Sequence, residues 1–320
     1  MPSFADGYDD SNRAFLQAFL ARSTLTLDTA KHVIAAISTQ QEGREVQAQD
    51  ITVEDLDSFV YQANRKLSPL DLEIRSTFHQ QTRERVYALI NTTSDPLTQL
   101  ATSYTADEII YVKKLLDAMF DGRNNKGRRE AMCLSGIEAI QTGKVPEKRR
   151  ETQNENATQS SAGMLSPKDA EAMLNKLVEE GWFERSPAGF YSLSPRALME
   201  LKAWLIDTYN DDDDDDDGTI DKIKFCHACK EIITVFFSGF KGQRCAQREC
   251  PGRLHDICSQ NFFRVHRSRA CPLCNTEWDG EHYVGEKAIT TSESYRSGRR
   301  RSNNRPRSQV EAANEHEDEP

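Results

Sequence analysis

The chain has 320 residues, 37% of them hydrophobic and 29% charged, with a mean hydropathy of -0.70. That length accommodates two to three domains, and that polarity excludes one continuous globule, so linker or tail is expected in part of it. The formal charge of -10 sits mostly in one acidic run, Asp211 to Asp217, so bulk charge identifies no partner; no apolar run approaches the ~18 residues of a membrane span, and Met1 to Asp10 lacks the basic-then-apolar pattern of a secretory signal.

In chain order, Phe15, Leu16, Phe19 and Leu20 repeat at helical spacing. A second helix through Val33, Ile34 and Ile37 is expected to start at Asp28 as N-cap. Thr52 caps a third, with Leu56, Phe59, Val60 and Ala63 on one face. The period then changes to two. Leu70, Leu72, Ile74 and Phe78, followed by Val86, Ala88 and Ile90, largely alternate with polar residues on either side of a polar His79–Glu84 turn, the pattern of a β-hairpin. Three helices and a hairpin are the layout of a winged helix-turn-helix, assigned to residues 12–95.

The order of elements returns over residues 100–209, as a tandem fold without residue-level repetition. Thr105 and Glu108 form a capping box ahead of a helix bearing Ile109, Val112, Leu116, Met119 and Phe120. Another helix is expected to carry Met132, Cys133, Ile137 and Ile140, with Cys133 packed on its apolar stripe. Residues 142–163 read as an unstructured polar insertion. Ser166, Pro167 and Asp169 then open a helix with Met173, Leu174, Leu177 and Val178, and Gly181 stops it. Trp182 and Phe183, the Ser186–Gly189 turn and Phe190–Leu193 form a short wing, and a helix from Ser194 and Pro195 carries Leu198, Leu201, Trp204 and Leu205.

The fold class expected overall is α+β: tandem winged helices, an acidic linker at 210–220, a small zinc domain at 222–280 and a disordered tail at 285–320. The acidic run reads as a self-repelling spacer holding the zinc domain away from the winged helices. Arg296, Arg299, Arg300, Arg301, Arg305 and Arg307 make the start of the tail basic, as in an import signal.

Seven of the eight cysteines lie between Cys226 and Cys274. With His255 they read C-x2-C-x15-C-x4-C-x4-H-x2-C-x12-C-x2-C, eight donors for two closed tetrahedral zinc sites, and thus two zinc ions. Two intervening residues let a pair of thiolates point the same way, and the long gaps bring distant pairs together. In a cross-brace, Cys226, Cys229, His255 and Cys258 hold zinc one, and Cys245, Cys250, Cys271 and Cys274 hold zinc two. A sequential arrangement of separate fingers is the alternative; the single histidine in fifth position favours the cross-brace. About 50 residues with few large apolar side chains (Ile232, Val235, Phe236, Phe262, Phe263) cannot build a sufficient core alone, so the metals carry folding energy. A closed site leaves no vacancy for metal catalysis, and no catalytic residue is assigned. RING modules and PHD fingers share this ligand order. Pro272 after the seventh ligand suits a RING, while Arg269 stands where PHD fingers usually have an aromatic; Ala228 and Asn275 make the match a variant RING.

On the eight ligands, the Cys271–Asn275 run with Trp278 beyond it, and the Gly181–Trp182 wing entry, the chain resembles the family of the first non-SMC element of the Smc five/six complex, over residues 12–278. The resemblance implies a nuclear RING-type E3 ubiquitin-protein ligase subunit that acts in DNA repair and homologous recombination. It also implies a MAGE-type partner that promotes ligase activity and a kleisin subunit in the same complex.

A RING ligase supplies no nucleophile; it positions a charged ubiquitin-conjugating enzyme, and Ala228 and Pro272 are the expected contacts. The alternative is an interaction subunit whose zinc domain only supports assembly. Direct DNA binding is expected to be weak or absent. The third helix of the second half sets Lys168 and Lys176 against Asp169, Glu171, Glu179 and Glu180, an excess of acid that opposes phosphate contact.

Overall fold

The computed structural model describes residues 8–80, 82–92, 104–122, 125, 129–144, 163–210, 222–234, 242–247, 249–293 and 295–297. Most of the polar insertion, the whole acidic run, Val235, Phe236 and the tail beyond Ser297 lie outside them.

In the first module, α1 (Asp10–Arg22) starts from Asp9, whose side chain accepts from the Asn12 N–H. The strand β1 (Thr24–Thr26) leads into α2 (Leu27–Glu42), and α3 (Val53–Leu67) precedes β2 (Leu72–Phe78) and β3 (Arg85–Asn91). The cap of α2 is Thr26, in a reciprocal capping box with Thr29; Asp28, the expected cap, lies inside the first turn. Thr26 wins because its hydroxyl and that of Thr29 satisfy two free N–H groups at once. Thr52 and Asp55 make the equivalent box at α3. The three strands lie in the order β1-β3-β2, all antiparallel. Phe15, Phe19, Ile34, Leu56, Ile74 and Tyr87 form the core beneath them.

The second module repeats that topology. Its elements are α4 (Ala106–Phe120), β4 (Leu134–Ser135), α5 (Gly136–Thr142), α6 (Pro167–Glu179), β5 (Phe183–Arg185), β6 (Phe190–Leu193), α7 (Pro195–Glu200) and α8 (Lys202–Tyr209). Its sheet runs β4-β6-β5. Gly181 takes the left-handed conformation (φ 73) just past α6, which a side chain would strain. Met132 and Cys133 are not helical, contrary to the spacing: they form the buried approach to β4, and Ile137 on α5 is 71% exposed. A capping box from Ser135 to Glu138 starts the helix at Gly136, four residues after Met132.

β3 is buried on both faces, which explains its run of apolar residues. Tyr87 joins the first core, while Ala88 and Ile90 pack on Met199 of α7 and so join the two modules.

The zinc-ligand region contains β7 (Gly242–Arg244), β8 (Arg253–His255), α9 (Asp256–His266), β9 (Tyr283–Val284) and α10 (Glu286–Thr290), with strand order β8-β7-β9. It is not held apart from the rest. Ile223, Ile232, Ile233 and Val284 belong to the same buried cluster as Leu115, Phe120 and Leu205 of the second module. Asn210 both donates to the Ile223 carbonyl and accepts from its N–H. Gln80 of the first module does the same across Ile232 and Thr234. Arg253 meets Glu130 through two bonds of 2.6 Å, both side chains being almost fully buried. The spacer expectation is therefore overturned: apolar area and buried polar pairs dock the zinc-ligand region onto the two modules before it.

The expectation of disorder from residue 285 onward fails over the residues described there. Residues 285–293 and 295–297 are ordered, and Ile289 and Tyr295 pack against Ala131, Cys133 and Phe190. Two apolar side chains among polar neighbours suffice because the second module already offers the matching hollow. Burial pushes the Cys133 thiol far above its ordinary range. In the full chain we expect mass-mapped alkylation under native conditions to spare Cys133; a chain ending at Val284 should expose it to the reagent. Equal protection in both chains would contradict this packing.

Candidate metal centres

The two C-x2-C pairs occupy matching local structures. The Cys226 N–H donates to the Glu231 carbonyl at 2.9 Å and the Lys230 N–H to the Cys226 carbonyl at 2.8 Å. Likewise, the Cys271 N–H donates to Thr276 at 2.8 Å and the Asn275 N–H to Cys271 at 2.9 Å. Lys230 and Asn275 both take positive φ, 61 and 57, and bridges Phe225–Ile232 and Ala270–Glu277 close the two hairpins. Each knuckle thus turns both thiols to one side.

The remaining donors come from the sheet and helix between the knuckles. β7 delivers Cys245 at its end; β8 ends in His255, and the first turn of α9 presents Cys258. The Cys245 N–H bonds the Gly252 carbonyl. A side chain at Gly252 would place its Cβ 2.9 Å from the Cys271 sulfur and 3.4 Å from that of Cys250, so glycine is required for backbone to pass this close to the thiols. Sequence reasoning missed Gly252; a glycine between two ligand pairs was its only signal.

The fold gathers the eight donors into two interleaved groups. Cys226, Cys229, His255 and Cys258 form one, and Cys245, Cys250, Cys271 and Cys274 the other, the donor atoms of each group lying within 4.8 Å of one another. The sulfurs of Cys245 and Cys274 are 3.4 Å apart, and those of Cys250 and Cys271 3.6 Å. His255 Nδ1 lies 3.4 Å from the Cys229 sulfur and 3.8 Å from that of Cys258. A disulfide requires about 2.05 Å. A tetrahedron with zinc–sulfur bonds of ~2.3 Å and a zinc–nitrogen bond of ~2.0 Å has edges of roughly 3.5–3.8 Å, which the spacing of these donors fits.

The electrostatics point the same way. Hydrogen bonds from Cys229 and Cys258 drive the Cys226 thiol far down, while Cys226 and Cys229 push Cys258 up. Burial disfavours a charged His255, but Cys226 and Cys229 outweigh it and raise the imidazole to about 9. In the second group burial raises Cys245 and Cys250, whereas the Thr276 hydroxyl and backbone lower Cys274 to about 6. Thiols crowded this closely cannot all ionise unless a cation is shared among them.

Ala228 and Pro272 are both exposed, one in each knuckle. Leu273, beside Pro272, is 48% exposed, and Val265 on α9 is 73% exposed; neither is among the contacts expected from the sequence. His227 and His266 stay outside both groups and pack on Phe262. Trp278 is buried against Phe263, its indole N–H donating to Gln243 at 2.6 Å. Removing metal with a chelator should unfold this region and red-shift the tryptophan emission, and Trp278→Phe should abolish most of the shift. An unchanged spectrum after complete chelation would contradict a structural role for metal.

Comparison with known families places residues 12–201 with the "Nse1 non-SMC component of SMC5-6 complex" and residues 226–274 with "RING-like domain". The chain is 23% identical over 272 residues to the non-structural maintenance of chromosomes element 1 homolog of Homo sapiens, covering 85% of each. It is 24% identical to the Bos taurus homolog over 93% of each chain. The element 1 protein of Schizosaccharomyces pombe is 22% identical, with 88% of this chain and 97% of the relative covered. A chain of a solved Nse1-Nse3-Nse4 complex shares the fold with a TM-score of 0.63 at 21% identity, covering 85% of this chain and 98% of that one.

Proposed function

Because this chain belongs to the Nse1 family of SMC5-6 complex components, we propose that it is a RING-type E3 ubiquitin-protein ligase subunit of that complex. It works in the nucleus in DNA repair and homologous recombination. The two modules before the zinc region are read as tandem winged helices, spanning 12–95 and 100–209. The partners are a MAGE-type subunit, a kleisin subunit and a ubiquitin-conjugating enzyme. The observation that carries the reading is the pair of interleaved four-donor groups with exposed apolar residues on both knuckles.

Cys226, Cys229, His255 and Cys258 would hold one zinc ion and Cys245, Cys250, Cys271 and Cys274 the other. Zinc so bound is a closed structural crosslink with no open coordination position. The chain's own contribution to ubiquitin transfer is then positional. Ala228, Pro272 and Leu273 present a rigid apolar surface to a charged conjugating enzyme, and a substrate lysine attacks its thioester in the orientation so fixed. All seven cysteines of the region sit in the two groups, so none is left as an acceptor for ubiquitin.

Assembly without ligase activity is the second reading, favoured by the small Ala228 side chain and by Asn275. In its left-handed position Asn275 suits the backbone but offers no cation. Direct DNA binding stays weak in either reading. On α6, Lys176 already stacks over the Tyr104 ring at 4.2 Å, and the Tyr104 hydroxyl bonds Glu180, so that cation faces protein.

With the MAGE-type subunit present, the purified chain should stimulate ubiquitin discharge from a conjugating enzyme. Pro272→Ala with Leu273→Asp should cut the rate by about tenfold, the effect of losing an interface anchor, while zinc content and partner binding stay at the wild-type level. Discharge that is absent throughout favours assembly alone; stimulated discharge that is indifferent to these changes overturns the assignment of Pro272 and Leu273 as contacts.

A further inference from the structure

Glu130 lies in the second module, about 100 residues before the first ligand, yet it is tied to both donor groups through one residue. Its carboxylate accepts from Arg253 Nε and Nη2 at 2.6 Å each, and Lys224 approaches to 3.2 Å. Arg253 Nη1 in turn donates to the carbonyls of Cys250 at 2.6 Å and Gly252 at 2.9 Å. Cys250 is a donor of the second group, and Gly252 is the residue that passes against its thiols. The Arg253 carbonyl accepts from the His227 N–H at 2.8 Å, inside the first knuckle, and Arg253 is two residues before His255 on β8. The Glu130 carbonyl accepts from the Gly285 N–H at 2.7 Å, where the chain leaves β9 for α10.

We propose that Glu130 is a positioning residue for both metal centres, acting through Arg253, so that docking of the zinc region on the second module and retention of its two metals are thermodynamically linked. The inference rests on the zinc reading given above. Outer-sphere partners fix the orientation of metal ligands, and their loss weakens binding by about ten- to a hundredfold. Such partners ordinarily come from the metal domain itself; here the carboxylate comes from a neighbouring module. Removing it strands a buried guanidinium and frees the Cys250–Gly252 carbonyls it holds. Linkage is reciprocal: vacating the centres must loosen the segment that carries Glu130 into β4.

The experiment begins with metal analysis of the full wild-type chain, then follows zinc release into a chromogenic chelator for wild type, Glu130→Gln and Glu130→Ala. Lys202→Ala serves as control, because it breaks the more exposed Lys202–Glu231 pair of the same junction without touching Arg253. We expect release ten- to a hundredfold faster in Glu130→Ala, an intermediate rate in Glu130→Gln, and little change in Lys202→Ala. In the reciprocal arm, chelation of the wild-type chain should raise hydrogen exchange at residues 130–134. This arm stands even if the Glu130 variants fail to fold. Zinc absent from the wild-type chain overturns the metal reading and this linkage with it. Zinc present, but released equally from wild type and a folded Glu130→Ala, overturns the linkage alone. Unchanged exchange at residues 130–134 after chelation, or a Lys202→Ala effect as large as that of Glu130→Ala, also overturns it.

Discussion

The interleaving of two four-donor groups is the constraint on which the C-terminal half depends. Each group unites a knuckle with donors distant in sequence: Cys226 and Cys229 with His255 and Cys258, and Cys271 and Cys274 with Cys245 and Cys250. The two groups together cannot close without ordering most of the segment between the knuckles, including β7, β8 and α9. The apolar supply there is thin, with Leu254 and Trp278 the large buried side chains of its local cluster. Structural zinc contributes on the order of 10 kcal/mol or more per site at neutral pH; bound to these two groups, it would be enough to offset the thin core.

A region stabilised mainly at its centre still needs orienting, and the second module does this. Its core admits Ile223, Ile232, Ile233 and Val284 from the zinc region, while its Glu130 receives Arg253 and Lys224. Burial works against the Glu130 carboxylate, but the hydrogen bonds and charge of Arg253, with those of Lys224, outweigh it and hold it below the usual carboxylate range. The pair therefore strengthens docking above that range and loses its contribution as pH falls through the lowered value. The first module joins from the other side through Gln80 and through Ala88 and Ile90 against Met199. Ala228, Pro272 and Leu273 are consequently presented from a unit anchored on two others.

What could be read from the chain beforehand was what short-range chemistry determines. The Thr52 cap, the Thr105–Glu108 capping box, the Ser166–Pro167 helix start, the left-handed Gly181 and the ligand spacing are all set within a few residues. The β2–β3 hairpin was visible because its strands are seven residues long, β2 alternating and β3 apolar from Val86 to Ile90; β1 and β4, at three and two residues, are too short to show a period. The failures share a different cause. Met132 is apolar because it enters the second module's core and Cys133 because it packs with Phe190, Ile289 and Tyr295, a pairing that mimics a helical stripe. Ile289 and Tyr295 gain their meaning from a hollow formed by Ala131, Cys133 and Phe190, more than 90 residues away. The zinc region was expected to stand apart because a run of like charge suggests extension, whereas the Arg253–Glu130 pair that docks it joins residues 123 apart in sequence.

The central claim is that two metals are held by interleaved donor sets. It is tested most directly by loading the full chain with cadmium-113 and correlating each metal resonance with the protons of its ligands. The account predicts two resonances, one coupled to Cys226, Cys229, His255 and Cys258 and the other to Cys245, Cys250, Cys271 and Cys274. A single resonance, or one metal coupled to both Cys226 and Cys245, would contradict it.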